Sequence, residues 1–431
     1  MEDTHWGKFE RFLEKKLEEE HIPGLSIGIS QMGKPIFQKG FGYRDYKAKL
    51  PVTPETIFGI ASVTKSITAV AILELEDRKL LSVHDSIVKH LPELKMNGVK
   101  EIEQIKIHHL LSHTTGIPPM ERKEEFIRFE EHMAYFAETV IEPLGKPGEY
   151  FSYCNDTFLL LGAIIERVTG QSFETYMTER FLHPLGMNRS TFRLEELAEM
   201  ENVSVPYEYH NKTNTFQETA WPKLGNYKTG GGIRSNVQDL LKYGQYLLGD
   251  KTVLNRLADP VYKVGRNTYY GYALNVIPNH FENCTLISHG GGQPGVSSFF
   301  GVVPEKNLIA VVLTNVGGIP AGEIWLAAVN AALGIPYNYK RETEPFYDIS
   351  TETSKGLMGT YQSLEGDRVR FFVEKDTMFM EENEEKKELR ASAKDRLVIQ
   401  NTDRAFQFYL NDDQKTWGVF NGSRMLRKVG E

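Results

Sequence analysis

The sequence has few of the features that mark secreted, membrane-spanning or nucleic-acid-binding proteins. It contains only two cysteines in 431 residues, Cys154 and Cys284. Its acidic, amphipathic start has no apolar segment of the kind a signal peptide needs. We therefore expect two free thiols and a cytoplasmic protein. No apolar run approaches the ~20 residues of a membrane span. The net charge of −8 argues against nucleic acid or an anionic membrane surface as a partner.

Metal-binding and nucleotide-binding motifs are also missing. His108, His109 and His113 lie close together in the sequence, but their spacing matches no familiar zinc motif. No glycine-rich loop follows a strand-like run and ends in Lys-Ser or Lys-Thr, as a phosphate-binding loop would. We therefore predict neither a metal site nor a cofactor.

The length suits one large domain and one smaller domain. A hydrophobic fraction of 40% and a charged fraction of 25% are ordinary for a globular protein. The segment 336–346 is polar and bracketed by prolines, which is typical of a linker. We predict a first domain over residues 1–335 and a second over 347–431.

The pattern of the first domain predicts an α+β fold. A helix is expected at 9–20, a second at 67–75, and another at 321–333 near the end of the domain. Strand-like runs occur near both ends, and their short connections favour antiparallel pairing: 24–30, 36–43, 284–288, 297–303 and 308–314. We expect one antiparallel sheet flanked by helices. A largely helical insertion, roughly 66–282, would face the edge of the sheet across a cleft.

The second domain has a different sequence pattern. Short apolar runs alternate with polar turns at 369–373, 377–380, 396–399, 405–410 and 417–420. This spacing predicts a small up-and-down antiparallel barrel. The acidic cluster at 381–388 is interpreted as a solvated hairpin turn.

A Ser-x-x-Lys motif, Ser62 to Lys65, opens the apolar helical run that follows a small-residue turn. On a helix these two side chains lie on one face, so an ammonium neighbours a hydroxyl. The N-terminus of the helix also favours developing negative charge. The chain holds a second match, Ser86 to Lys89, so the motif needs support from other residues.

Two further segments supply that support. Tyr153 and Asn155 precede an apolar helix expected at 158–168, although Asn155 or Asp156 could simply cap it. His289 and the glycines Gly290–Gly292 come just beyond a predicted strand. Glycines allow the backbone to approach a ligand closely, whereas a hairpin with an incidental histidine is the alternative interpretation.

The order Ser-x-x-Lys, Tyr-x-Asn and strand with glycine-rich turn resembles that of class C β-lactamases, D-aminopeptidases and the wider penicillin-binding-protein-like hydrolases of the CubicO group. Four further segments resemble recurring sequence motifs of that group: 110–116, 160–170, 184–187 and 230–235. The resemblance runs from residue 6 to about 335. It implies a β-lactamase/transpeptidase-like fold. Archaeal self-compartmentalising serine peptidases of this group are similar in carrying a small lipocalin-like barrel.

The resemblance also implies roles for individual residues. Ser62 would be the nucleophile, with Lys65 and Tyr153 as a coupled pair in which either holds the proton. The amides of Ser62 and Gly292 match the family's oxyanion-hole positions, with Gly291 beside them. Asn155 would hold the substrate amide.

His289 departs from the β-lactamases and carboxypeptidases of the group, which have a lysine at this position. A histidine is mostly neutral near pH 7, and so does not provide the fixed cation that suits a substrate carboxylate. This difference favours the aminopeptidase, endopeptidase and esterase branches of the group.

These features predict a serine hydrolase that acts on peptide or amide bonds. A carboxylesterase with the same residues and a non-catalytic homologue that kept the fold are the alternatives. The barrel contributes no residue to the three motifs, so we expect no direct chemistry from it. We expect it instead to build contacts in a homo-oligomer and to limit access to the cleft.

Overall fold

The computed structural model describes residues 5–341 and 344–430, which form a sheet-and-helix part followed by a barrel. This arrangement confirms the predicted α+β class. The nine strands of the sheet pair antiparallel, and the five predicted strands come from both ends of the first domain as expected. Three of the others lie within 66–282, so the segment expected to form the helical insertion also supplies one edge of the sheet. Across the sheet they follow the order Leu50–Pro51, Lys34–Asp45, Gly24–Gln31, Leu308–Thr314, Val296–Val303, Leu286–Gln293, Asn275–Ile277, Tyr269–Tyr270 and Tyr262–Lys263.

Both faces of the central strands are buried. In the strand Leu308–Thr314, Ala310 and Val312 pack into one core, and Val311 and Leu313 into the other. This alternation follows from the two-residue period of a strand. The first core lies under the helices His5–Glu19 and Ala321–Leu333, and the second under the helical insertion.

The helical insertion is organised around the helix Thr64–Asp77, which is buried without interruption from Thr64 to Leu73. A helix that is buried on every side lies at the centre of its domain. The other α-helices of the insertion are Ile87–His90, Ile107–Leu111, Phe129–Glu138, Asn155–Phe158, Leu160–Thr169, Phe173–Met177, Leu194–Ala198, Lys228–Gly231, Val237–Gly249 and Lys251–Ala258. Two small ribbons complete it, Phe58–Gly59 with Arg234–Ser235 and Tyr207–His210 with Thr215–Glu218.

The second domain begins with the helix Thr351–Leu357 and closes into an eight-stranded antiparallel barrel, in which the first strand pairs with the last. Apolar side chains such as Tyr361, Phe371 and Phe408 fill its interior. A barrel of eight strands is just wide enough for such filling. Its strands are Gly359–Gln362, Arg368–Glu374, Thr377–Glu382, Glu385–Ala393, Arg396–Ile399, Ala405–Leu410, Thr416–Phe420 and Met425–Gly430.

Three details differ from the sequence-based expectations. The barrel has three more strands than the apolar runs indicated, because strands such as Glu385–Ala393 direct many charged side chains into solvent. The helix expected from residue 158 is split into Asn155–Phe158 and Leu160–Thr169. The strand Leu286–Gln293 includes the histidine and glycines that were placed beyond it. Its ladder with Val296–Val303 extends the strand where glycine propensity alone would end it.

Other expectations agree with the fold. Cys154 and Cys284 are both free and buried. The described residues of 336–346 form neither helix nor strand, and the exact domain boundaries remain predictions. No helix within 5–341 and 344–430 is long and apolar enough to cross a membrane.

Candidate active site

Ser62 lies in the short turn Ala61–Val63, which leads directly into the helix Thr64–Asp77. Ala61 has φ +44°, a left-handed value that a Cβ atom disfavours. The Nζ atom of Lys65, in the first turn of the helix, lies 3.2 Å from Ser62 Oγ. The structure thus brings together the serine and lysine that the spacing predicted to share a face.

The amino group of Lys65 is buried among three oxygen atoms. Besides Ser62 Oγ, it contacts Asn155 Oδ1 at 2.8 Å and the Gly230 carbonyl at 3.1 Å. A neutral amine can donate two hydrogen bonds to the latter two and offer its lone pair to the Ser62 hydroxyl. The protonated amine can donate to all three oxygens, so a proton can move from Ser62 to Lys65 without a change in this arrangement.

Burial lowers the pKa of Lys65 well below its ordinary value, and the nearby charges of Arg122 and Arg424 lower it further. The competing motif has no such surroundings. Lys89 extends into solvent and pairs with Asp85 at 2.7 Å, while Ser86 lies at the start of the helix Ile87–His90. Of the two Ser-x-x-Lys matches, only Ser62 to Lys65 has the geometry of a nucleophile and base.

Tyr153 lies on the other side of Lys65. Its ring centre is 4.9 Å from Lys65 Nζ, and its hydroxyl is buried. The Ser62 hydroxyl lies near enough to affect its pKa, but no well-formed hydrogen bond reaches the Tyr153 hydroxyl within the described part of the chain. Burial raises the pKa of Tyr153, so its hydroxyl stays protonated at neutral pH. An unsatisfied buried hydroxyl is costly, and such groups are common where a substrate or water binds.

The extended segment that carries Tyr153 is held from two sides. On one side, the amides of Ser152 and Cys154 donate to His113, one to its carbonyl at 3.0 Å and the other to Nδ1 at 3.2 Å. On the other side, the Tyr153 amide donates to the carbonyl of Ser423, in the barrel, at 2.8 Å. The His113 ring also packs against the Tyr153 ring, with 4.1 Å between centroids. Both domains therefore position Tyr153.

His289 is buried, and both its ring nitrogens are hydrogen-bonded. Nδ1 donates to the Gly290 carbonyl at 2.5 Å, so the neutral ring accepts at Nε2 from the Tyr270 hydroxyl, 3.1 Å away. Burial, together with the charge of Lys65, lowers the pKa of His289 to about 3. His289 is therefore neutral at physiological pH and has no free donor for a ligand.

The three glycines after His289 face opposite sides of their strand. Gly290 and Gly292 line the cavity next to Ser62. Gly291 faces away from it, and a Cβ atom there would lie 2.4 Å from the Ile60 carbonyl and from Ser298 Oγ. Gly291 thus allows the strand to approach the Ser62 turn closely, while Gly292 is placed to contact a ligand.

The cavity over Ser62 has a volume of about 340 Å³ and is lined by residues of both domains. The barrel contributes Gly422, Ser423 and Arg424, from the turn between its last two strands. The barrel contributes no residue to the three motifs, as expected, but this turn makes it part of the cavity wall. The remaining lining residues are Ser62, Phe151, Tyr153, Asn155, Val264, Tyr270, Asn275, His289, Gly290 and Gly292.

Sequence reasoning did not assign roles to Gly230, His113, Tyr270 or Arg424. Gly230 belongs to the segment 230–235, and its close contact with Lys65 explains why a glycine stands at this position. His113 was interpreted as loop architecture, which agrees with its bonds to the Tyr153 segment. Tyr270 and Arg424 have no local signal, since only tertiary contacts bring them to the cavity.

This fold and this arrangement of serine, lysine and tyrosine are those of a β-lactamase-type serine hydrolase. Residues 9–333 match the family model described as Beta-lactamase, so the chain belongs to the β-lactamase family. Among curated proteins, it is 32% identical to Protein flp of Staphylococcus aureus (strain MW2) over 317 residues. That match covers 72% of this chain but only 62% of Protein flp. Penicillin-binding protein 4* of Bacillus subtilis (strain 168) is 24% identical, with 92% of each chain covered.

Solved structures extend the likeness to the barrel. The octameric penicillin-binding protein homologue from Pyrococcus abyssi is 30% identical, with a TM-score of 0.73 and coverage of 99% of this chain and 100% of that one. SurE has a TM-score of 0.77 at 18% identity over the full length of both chains, which shows a shared fold.

Proposed function

We propose that this protein hydrolyses peptide or amide bonds through an acyl-enzyme formed on Ser62. The observation that carries the proposal is the position of Lys65, whose buried amino group lies 3.2 Å from Ser62 Oγ. A serine hydroxyl becomes an effective nucleophile when a neighbouring base removes its proton. The other two contacts of the Lys65 amine leave its lone pair for that task.

Lys65 is the better candidate for the base that activates Ser62. The pKa of Lys65 is lowered and that of Tyr153 is raised, both mainly by burial. Near neutral pH the free amine is therefore accessible, whereas the phenolate is scarce. The Lys65 ammonium would then return its proton, by way of the Tyr153 hydroxyl, to the leaving group. The free amine and the protonated Tyr153 are thereby restored, and the amine can accept a proton from the hydrolytic water in the second half of the cycle.

The charge that develops on the substrate carbonyl would be received by the amides of Ser62 and Gly292. Ser62 lies at the start of a helix and Gly292 on the strand that borders the cavity. In other enzymes the loss of one such donor costs about 10²- to 10³-fold in kcat. Asn155 accepts from Lys65 through Oδ1, which leaves its amide nitrogen to donate to a substrate carbonyl.

A carboxylesterase is the second candidate, because the same residues serve ester cleavage. The protonated Tyr153 hydroxyl favours the amidase, since an amine leaving group needs a proton more than an alcohol does. An amide and an ester of the same acyl group would separate the two. A non-catalytic homologue is the least supported candidate, because the contacts of Ser62, Lys65 and Asn155 are intact.

We also propose a cytoplasmic homo-oligomer. The likeness to an octameric homologue, over 99% of this chain at 30% identity, supports an assembly of identical subunits. The barrel would contribute contacts to it and narrow the approach to the cavity.

The test of the function is covalent labelling by a fluorophosphonate, which reacts with an activated serine and releases fluoride. Ser62→Ala should abolish labelling and turnover while the protein keeps its folded circular-dichroism spectrum. Ser86→Ala, the matched control in the competing motif, should label at the rate of the wild type. Labelling that persists in Ser62→Ala, or that is lost in Ser86→Ala, would contradict the assignment.

A further inference from the structure

We propose that Arg424, on the barrel turn Asn421–Arg424, binds a carboxylate of the substrate in the Ser62 cavity. The inference rests on the proposed hydrolase function and adds a class of substrate to it: acyl compounds that carry an anionic carboxylate close to the cleaved bond. The residue lies in the second domain, outside the three catalytic motifs.

The guanidinium of Arg424 is oriented by one edge and open at the other. Its Nε atom donates to Glu365 at 2.5 Å and lies 3.8 Å from a carboxylate oxygen of Asp367. Within the described residues, no hydrogen bond forms to Nη1 or Nη2 of Arg424. A guanidinium presents five N–H donors in a fixed plane, and a pair of parallel N–H groups matches a carboxylate. The free terminal edge is therefore a preformed receptor.

The rest of the cavity wall offers a carboxylate no other fixed cation. Among the described residues that line it, Arg424 is the one with a permanent charge. His289 is neutral and uses both ring nitrogens within the protein. Lys65 is 1% exposed, and its amino group already contacts Ser62, Asn155 and Gly230.

Glu365 does not cancel this capacity. It occupies the Nε edge, so a second carboxylate can bind at the opposite edge of the same planar group. Asp367 lies farther off, 3.8 Å from Nε, and its side chain is 45% exposed, so solvent screens its charge. A carboxylate partner that holds one edge also limits the rotamers of the arginine, which lowers the entropy cost of binding at the other.

The turn holds Arg424 in a fixed relation to the catalytic residues. Asn421 Oδ1 accepts from the amides of Ser423 and Arg424, at 3.1 and 2.8 Å, and Gly422 has φ +99°. The Ser423 carbonyl accepts from the Tyr153 amide. The guanidinium carbon lies 5.6 Å from the Tyr153 ring centre. A substrate group bound by Arg424 is thus held at a fixed position relative to Tyr153 and Ser62.

The contact with Tyr153 allows a competing role, in which Arg424 only positions the catalytic tyrosine. The two roles differ in their dependence on the substrate. A carboxylate receptor affects substrates that carry the anion, whereas a positioning residue affects all substrates alike.

The experiment uses the full-length protein and two pairs of activated esters. In the first pair the acyl group carries either a terminal carboxylate or the corresponding carboxamide. In the second pair the phenol leaving group carries a carboxylate or a carboxamide. Wild type, Arg424→Gln and Arg424→Lys are compared by kcat/KM and KM. Arg427→Gln is the control, since Arg427 joins the barrel to Pro143 and Glu142 away from the cavity.

Arg424→Gln should lower kcat/KM about 10- to 100-fold for the carboxylate member of one pair, mainly through KM. The pair affected tells whether the anion belongs to the acyl or the leaving group. Arg424→Gln also removes a charge that lowers the pKa of Lys65, so the two carboxamide esters should share one smaller loss, and the 10- to 100-fold effect is counted relative to them. Arg424→Lys keeps the charge and should recover part of the loss, and Arg427→Gln should show no preference.

Equal losses for all four esters, or no loss for either carboxylate, would overturn the proposal. Continued Ser62-dependent hydrolysis of the carboxamide esters would show that the hydrolase function stands even then.

Discussion

Gly230 offers the sharpest test of how tightly the site holds its base. It lies in the short helix Lys228–Gly231, and its carbonyl accepts from Lys65. A Cβ atom at this position would lie 2.6 Å from Lys65 Nζ and 3.0 Å from Cε. Gly230→Ala therefore directs a methyl group at the reacting amine without adding or removing charge.

The expected effect is large on catalysis and small on stability. Non-bonded heavy atoms prefer about 3.5–4.0 Å, so the amine must move by about 1 Å. A displacement of this size can cost about 10²-fold in rate, and we expect acylation to slow by that factor. Stability should change little, because alanine favours a helix over glycine by about 1 kcal/mol and the closest contacts fall on the flexible end of the Lys65 side chain.

The neighbouring Gly231 supplies a matched control. A Cβ atom there would lie 3.9 Å from its nearest neighbour, the carbonyl carbon of Ala61, which is an ordinary contact. Gly231→Ala should acylate like the wild type and melt at the same or a slightly higher temperature. Stopped-flow bursts with an activated ester and the rate of fluorophosphonate labelling measure acylation, and thermal melts by circular dichroism measure stability.

Two results would refute this reasoning. Acylation of Gly230→Ala within threefold of the wild type would mean that Lys65 relocates freely or is not the base. An equal loss in Gly231→Ala would mean that the helix, and not the contact with Lys65, determines the rate.

Three further predictions concern Lys65, the first of them together with Tyr153. Lys65→Ala and Tyr153→Phe should each slow acylation strongly, and the double variant should be little worse than the poorer single one if they act as a unit; losses that multiply would show independent roles. The rate of acylation should rise with pH through the lowered pKa of Lys65, because only the free amine accepts the proton. The unfolded chain binds more protons on this lysine than the folded one does, so wild-type stability should fall as pH drops from about 10.5 toward the lowered pKa. Lys65→Met should lack that dependence in urea titrations at matched pH, and an equal slope in both proteins would exclude it.

The parts of the site that the sequence predicted are those with a local geometric cause. Ser62 and Lys65 share a face because a helix fixes residues three apart, whatever surrounds it. The five central strands of the sheet were predictable because they are short apolar runs with short connections. Tyr153, Asn155 and His289 could be predicted as site residues only from the order of the three motifs along the chain. Each of them, taken alone, has a common structural explanation such as a helix cap or a hairpin.

The parts that the sequence did not predict depend on contacts between distant segments. Arg424 lies in a turn of polar residues that would suit any hairpin. Its place in the cavity comes from the docking of the barrel on an apolar cluster that includes Phe151, Tyr270, Phe420 and Met425. Secondary-structure propensity and hydrophobic periodicity describe residues that are neighbours in sequence. Neither can show which face of a barrel contacts which loop of another domain.

This docking gives the barrel a structural role at the active site, in addition to the proposed roles in assembly and access. The amides of Ser152 and Cys154 donate hydrogen bonds to His113, whereas the amide of Tyr153 donates to Ser423. The backbone hydrogen bonds of this extended catalytic segment therefore depend on both domains. A chain cut in the linker would leave the Tyr153 amide without its partner and uncover the apolar cluster beneath the turn. Loss of activity in such a fragment would therefore reveal nothing about access or substrate size. Changes within the turn itself, in the intact chain, are the way to separate the contribution of the barrel to the site from its contribution to assembly.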